Sequence, residues 1–197
     1  MPVLFSNGNG SWRATNFVAP SWTSQPGIKA IAGDYNHDGK TDIAFVRPGS
    51  DWNSVPVLFS NGDGSWRGTN YVAAPWANQP GTVAIAADYN FDGKTDIAFV
   101  RPGSDWNSVP VLFSNVDGSW NATNYVAAPW ANEQGVIAVS GDFNRDGRCD
   151  IAFVRPGSDW SSVPVLFSNG DGSWNTTNYV SPAWANQPGV VALFGGY

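Results

Sequence analysis

Three nine-residue segments place oxygen donors at fixed spacing: 34–42, 88–96 and 142–150. In each, carboxylate or amide side chains stand at positions 1, 3, 5 and 9, with Gly at position 6. A hard cation such as Ca²⁺ takes about six to eight oxygen ligands at roughly 2.3–2.6 Å. The first segment offers Asp34, Asn36, Asp38 and Asp42 through side chains and Lys40 through its carbonyl. The second offers Asp88, Asn90, Asp92, Lys94 and Asp96, and the third Asp142, Asn144, Asp146, Arg148 and Asp150, with water completing each shell. Gly39, Gly93 and Gly147 allow the left-handed φ that turns a backbone around an ion. The competing reading is a polar hairpin turn that binds nothing. Three copies with every donor intact favour the ion, about three Ca²⁺ per chain in a structural role. Mg²⁺ fits less well, because it keeps a smaller octahedral shell with several waters.

A second set of chemistry-bearing residues recurs elsewhere. Ser-Asp-Trp appears at Asp51-Trp52, Asp105-Trp106 and Asp159-Trp160, the first two followed by Asn53 and Asn107. Pro-Trp-Ala-Asn appears at Trp76–Asn78 and Trp130–Asn132. A sugar stacks its C–H face on an aromatic ring and bonds its hydroxyls to fixed donors and acceptors. These twelve residues are therefore the candidate carbohydrate contacts, with packing as the competing reading of Trp52, Trp106 and Trp160, and plugging the gap between blades as that of Trp22, Trp76, Trp130 and Trp184. Arg47, Arg101 and Arg155 precede Pro-Gly and are read as ion-pair partners of the Asp in the same loop, as donors to loop carbonyls, or as sugar-hydroxyl donors.

Composition narrows the field. The 197 residues are 42% hydrophobic and 14% aromatic, enough for a core. Only 13% are charged and the net charge is −6, which argues against nucleic acid. Fifteen of the sixteen acids are Asp, and every one belongs to a repeated motif. Cys149 is the single cysteine, so no intrachain disulfide holds the fold. No stretch reaches the apolar length of a membrane span, and no signal peptide is visible at the N-terminus. The compartment reads as cytoplasmic or non-classically secreted.

The elements that must position these residues follow from a period. Pro2, Pro56, Pro110 and Pro164 are 54 apart, as are Trp12, Trp66, Trp120 and Trp174. Such a period with several short strands per unit is the signature of a propeller blade. One unit reads as four strands: A over Thr82–Asp88, B over Asp96–Arg101, C over Val109–Ser114, and D from Trp120 to about Ala127. Asn-Gly-Asp-Gly between C and D is a hairpin signal. Helical periodicity is absent. The expected fold is all-β, a β-propeller of four-stranded antiparallel blades with a 54-residue repeat and cation-binding A–B loops, in one domain over 1–197. Its units are about 28–81, 82–135 and 136–189, with a partial unit 1–27 and a last strand 190–197. Gly196 stands where a fourth acidic loop would begin. Exposed edges follow, and edges invite pairing. The alternatives are a strand-exchanged homodimer closing a ring of seven or eight blades, a piece of a longer propeller, and a four-bladed monomer. Strand alternation puts A–B and C–D turns on one rim, and B–C and D–A loops on the other.

The Asp-x-Asn-x-Asp-Gly-x-x-Asp loop, followed by Ile-Ala-Phe-Val and Asn-Gly-Asp-Gly-Ser-Trp, resembles the FG-GAP/VCBS-repeat β-propellers. These are similar to the integrin α propeller, with calcium loops between strands A and B, and to integrin-like mushroom lectins of the Psathyrella velutina type. The resemblance implies the propeller fold and carries the calcium ligands onto the three loops. It also implies rings that bind N-acetylglucosamine or sialylated glycans between blades, although no lectin sugar motif aligns with Ser-Asp-Trp-Asn or Pro-Trp-Ala-Asn. The expected function is multivalent glycan binding without catalysis. The alternative is an integrin-like protein-interaction or structural module. Catalysis is disfavoured because His37 is the only histidine and stands opposite Phe91 and Arg145 in the other copies.

Overall fold

The computed structural model describes residues 1–181 and 183–192. Among these described residues, fourteen strands alternate with turns in one all-β arrangement. The first two, β1 (Pro2–Ser6) and β2 (Trp12–Asn16), form a two-stranded hairpin. Three four-stranded antiparallel sheets follow. The first contains β3 (Lys29–Gly33), β4 (Asp42–Val46), β5 (Val57–Ser60) and β6 (Trp66–Thr69). The second contains β7 (Val83–Ala87), β8 (Asp96–Val100), β9 (Val111–Ser114) and β10 (Trp120–Thr123). The third contains β11 (Ile137–Gly141), β12 (Asp150–Val154), β13 (Val165–Ser168) and β14 (Trp174–Thr177). Each sheet is a meander in chain order, and β3, β7 and β11 neighbour one another across sheets.

The Asp-Ile-Ala-Phe-Val strands form because β-branched and aromatic residues suit a pleated surface, and they are apolar on both faces because both are covered. All five residues of β8 and of β12 are buried. One core layer joins Tyr35, Val57 and Phe59 of the first full sheet to Ile97, Phe99 and Leu112 of the second. The next joins Tyr89, Val111 and Phe113 to Ile151, Phe153, Leu166 and Trp174. Burying each such Leu or Ile contributes about 1.5–3 kcal/mol. Packing between sheets is therefore the main stabilising term.

Strands C and D are shorter than their sequence pattern. Pro110 has no N–H to give, so it only accepts a bond from Phe99 N–H (2.9 Å), and the strand starts at Val111. Strand D stops at Thr123, beyond which a single bridge joins Ser108 to Val126. A further difference is helical. Among the described residues, four 3₁₀ turns occupy Ser21–Ser24, Pro75–Asn78, Pro129–Asn132 and Ala183–Asn186. A four-residue turn is too short to show periodicity, and in the second and third of these Pro at the first position lacks only an N–H that would go unused. Of the expected last strand, residues 190–192 are not in a strand, and 193–197, with Gly196, lie outside the described residues.

Candidate functional site

One rim of the molecule carries the acidic loops. In the second loop, Asp96 is fully buried and accepts bonds from Tyr89 N–H (3.1 Å) and Ser114 N–H (2.9 Å). Asp42 and Asp150 do the same with Tyr35 and Ser60, and with Phe143 and Ser168. Each of these carboxylates thus ties the A–B loop to the end of strand C in its own sheet. Burial pushes all three acids above the usual carboxylate range, Asp96 to about 7, although the N–H bonds pull the other way. The neighbouring carboxylates, such as Asp92 and Asp88 beside Asp96, add to the rise.

The first Asp of each loop closes the turn. Asp34 accepts from Asp38 N–H (3.1 Å) and Gly39 N–H (2.8 Å). Gly39, Gly93 and Gly147 have φ of 77°, 80° and 90°, as their spacing predicts. Position 4 is left-handed too, at His37, Phe91 and Arg145, which the sequence did not signal. The side chains at position 7 reach back: Lys40 Nζ bonds Asp38 (2.9 Å), Lys94 bonds Asp92, and Arg148 bonds Asp146 (2.5 Å). The Lys40 ammonium holds the Asp38 carboxyl below its ordinary range. Successive loops are stitched by Thr95 N–H to Asp34 O (2.7 Å) and Cys149 N–H to Asp88 O (2.8 Å). The His37 ring lies 2.6 Å from Gly93 O, again between loops. Among the described residues, no group of three or more His, Cys, Asp or Glu side chains converges to hold a metal ion.

The C–D turns on this rim are closed by Asx geometry. Asp63 accepts from both the N–H and the hydroxyl of Ser65 (2.8 and 2.6 Å), and Asp117 and Asp171 repeat the arrangement. These carboxyls are held below their usual range by those bonds.

The opposite rim carries the B–C and D–A loops, and here polar groups divide into two kinds. Asn78 is buried and fully used: its Oδ1 accepts from Arg47 N–H (2.6 Å), and its Nδ2 donates to Trp52 O (3.2 Å) and Ser54 O (2.9 Å). Asn132 makes the same three bonds to Arg101, Trp106 and Ser108. Asn78 and Asn132, expected among the ligand contacts, spend their amides inside the protein, where each staples one D–A loop to the B–C loop of its own sheet. The other kind is exposed. Asp51, Asp105 and Asp159, with Asn53 and Asn107, face solvent, and none of the three Asp carboxylates makes a hydrogen bond among the described residues.

The tryptophans form walls. Trp76 crosses to the next sheet and packs edge-on against Phe99 (5.2 Å), as Trp130 does on Phe153 and Trp22 on Phe45. Trp52, Trp106 and Trp160 are half-buried and stand about 6 Å from the guanidinium groups of Arg47, Arg101 and Arg155. Among the described residues those arginines do not pair with the Asp of their own loops; their Nε groups donate to the carbonyls of Pro26 (2.9 Å), Pro80 (2.7 Å) and Gln134 (2.8 Å). Arg101 reaches Gln79 (3.0 Å) and Arg155 reaches Glu133 (2.7 Å), each in the preceding D–A loop.

Clefts open where these walls meet. One of about 440 Å³ is lined by Trp22 and Gln25 on one side and by Arg47, Asp51, Trp52, Asn53 and Asn70 on the other. Its counterpart of about 450 Å³ is lined by Trp130 and Glu133, facing Arg155, Asp159, Trp160 and Asn178. Trp76, Arg101, Asp105, Trp106 and Asn107 hold the corresponding positions between these two. Sequence reasoning places Trp22 only as a plug between blades, and does not single out Gln25, Glu133, Asn70 and Asn178. The 54-residue spacing from Asn70 through Asn124 to Asn178 was a usable signal.

Repeated four-stranded antiparallel sheets with loops on two rims define a β-propeller-like interaction module. The model of the FG-GAP-like repeat matches residues 34–99 and 88–153, so the chain belongs to the FG-GAP-like repeat family. No curated protein is similar enough in sequence to count as a relative.

Proposed function

We propose that the chain is a multivalent carbohydrate-binding module, with one shallow site in each cleft between successive sheets. The observation that carries this reading is the repeated pairing of a Trp from one sheet with Arg, Asp and Trp from the next. Trp faces would stack on sugar C–H surfaces. Unpaired carboxylates at Asp51, Asp105 and Asp159 would accept sugar hydroxyls, and Arg47, Arg101 and Arg155 would donate. Linked, nearly equal sites gain avidity from effective concentration without any site being tight. Binding without turnover fits the placement of His37, the only histidine, on the other rim. The test is an array of N-acetylglucosamine- and sialic-acid-terminated glycans, probed in calcium buffer. Saturable binding that Trp106→Ala weakens at least tenfold is expected; no binding to any glycan overturns the proposal.

A second reading, protein interaction, is favoured by an apolar step repeated just beyond the end of each outer strand. Tyr71-Val72, Tyr125-Val126 and Tyr179-Val180 are all exposed. A protein ligand that free sugars do not displace would select it.

The acidic loops are proposed to hold structural Ca²⁺. The donor set is hard oxygen, and a cation would offset the charge that burial makes costly at Asp42, Asp96 and Asp150. The loops would clasp strands A and B of each sheet, and the sheets would be the blades of a closed propeller.

A further inference from the structure

The clefts at Arg47, Arg101 and Arg155 share one scaffold and differ in one charge. Because each arginine Nε is fixed on a carbonyl of the preceding D–A loop, the guanidinium takes the same place in all three. It stands 6.0, 5.9 and 5.9 Å from the tryptophan of its own loop. Trp22, Trp76 and Trp130 build the facing wall in the same edge-on packing, at 5.3, 5.2 and 5.2 Å from their phenylalanines.

The residue just before each of those carbonyl-bearing residues breaks the repeat. It is Gln25 in the first cleft, Gln79 in the second and Glu133 in the third. Gln79 Oε1 accepts from Arg101 Nη1 (3.0 Å), and a neutral amide leaves the arginine its charge. Glu133 Oε2 accepts from Arg155 Nη1 (2.7 Å) and forms an ion pair. The first cleft sets Arg47 against Asp51 and is neutral, whereas the third sets Arg155 against both Asp159 and Glu133 and carries one net negative charge. The second, with Arg101, Asp105 and Gln79, has the balance of the first. Ser161 replaces Asn53 and Asn107 in the third cleft, which shortens a side chain and alters no charge.

A guanidinium bonded to an amide is free to pair with a carboxylate on a ligand. Arg155 would have to give up Glu133 to do so, and the incoming carboxylate would meet a second like charge. A neutral sugar, held by stacking and hydroxyl bonds, meets neither cost. We propose that Glu133 sets the selectivity of the third cleft: it turns away sugars that carry a carboxylate, which the first and second clefts accept, while all three take neutral sugars. This proposal rests on the carbohydrate reading of the clefts. The Arg155 and Glu133 side chains are 29% and 43% exposed, so salt should weaken the discrimination.

Indole N–H signals of the full chain in solution NMR, assigned by single Trp→Phe substitutions, read each cleft separately. The probes are N-acetylglucosamine and N-acetylneuraminic acid, in calcium buffer at low salt. N-acetylglucosamine should shift the indoles of all three clefts over similar concentrations. N-acetylneuraminic acid should shift those of Trp22, Trp52, Trp76 and Trp106, and should need about tenfold more to shift Trp130 and Trp160. Glu133→Gln should close that gap, Gln25→Glu should impose it on the first cleft, and Ser161→Asn should leave it unchanged. Third-cleft indoles that answer the acidic sugar alongside the others overturn the proposal and leave the carbohydrate reading standing. The same holds for a gap that Glu133→Gln fails to close, or for an acidic sugar that moves no indole where the neutral one moves them all. If neither sugar moves any indole, both readings fall.

Discussion

Strand β8 has an aspartate at one end and another in the loop beyond the other end, and they live in opposite conditions. Asp96, on the acidic rim, is fully buried and receives two backbone N–H bonds. Asp105, on the opposite rim, is exposed and unbonded among the described residues. A buried carboxylate that satisfies buried donors holds structure together, whereas an exposed one with no partner is free to meet a ligand. Asparagines show the same contrast on one rim. Asn132 spends its whole amide inside the protein, while Asn107 next to Trp106 keeps its amide in solvent. Residue type is thus a weaker guide to function than where the hydrogen bonds go.

The comparison breaks most easily at Asp96. Asp96→Ala leaves two buried N–H groups without an acceptor, at about 1–3 kcal/mol each, so urea unfolding should show a loss of roughly 3–5 kcal/mol. Asp105→Ala should stay within about 0.5 kcal/mol of wild type in the same measurement. Equal losses at the two positions would erase the distinction between the rims. Asn132→Ala comes next, at about 2–3 kcal/mol, because it strands the N–H of Arg101 and two loop carbonyls.

Acidity sharpens the contrast further. Asp96 titrates near 7 in the fold, above the ordinary value of 3.8, so the fold favours its neutral form. Its contribution to stability is full below pH about 4 and is lost as pH rises through 7. Chelated protein should therefore melt roughly 5 °C lower at pH 8 than at pH 5. Bound Ca²⁺ should abolish that slope by stabilising the ionised form. An unchanged melting curve after chelation at pH 8 would count against the cation. The smallest effect on stability belongs to Asp105→Asn, which should leave unfolding unchanged. In the glycan assay it should weaken binding about tenfold, the loss of one charge-assisted bond.

Much of this architecture is legible in the chain. The Asp-Ile-Ala-Phe-Val runs read as strands covered on both faces, and β8 and β12 are buried throughout. Strand parity alone separates the acidic loops from the Trp-rich ones. What stays hidden is which groups meet across sheets. Trp76 reads as a ligand contact or as a plug between blades, and Trp22, Trp76 and Trp130 each lean on a phenylalanine of the following sheet. Asn78 looks like its neighbours in type and differs only in being buried under the loop it staples. Lys40 enters the donor set through its carbonyl, and spacing does not show that its ammonium also bonds Asp38 (2.9 Å). None of these is a property of spacing, since each depends on which loop lies across from it.

Hydrogen exchange read by mass spectrometry, with and without saturating N-acetylglucosamine or the best glycan from the array, tests the division between rims most directly. The account predicts slower exchange over 47–54, 101–108 and 155–162, with 34–42, 88–96 and 142–150 unchanged. Protection confined to the acidic loops would contradict it.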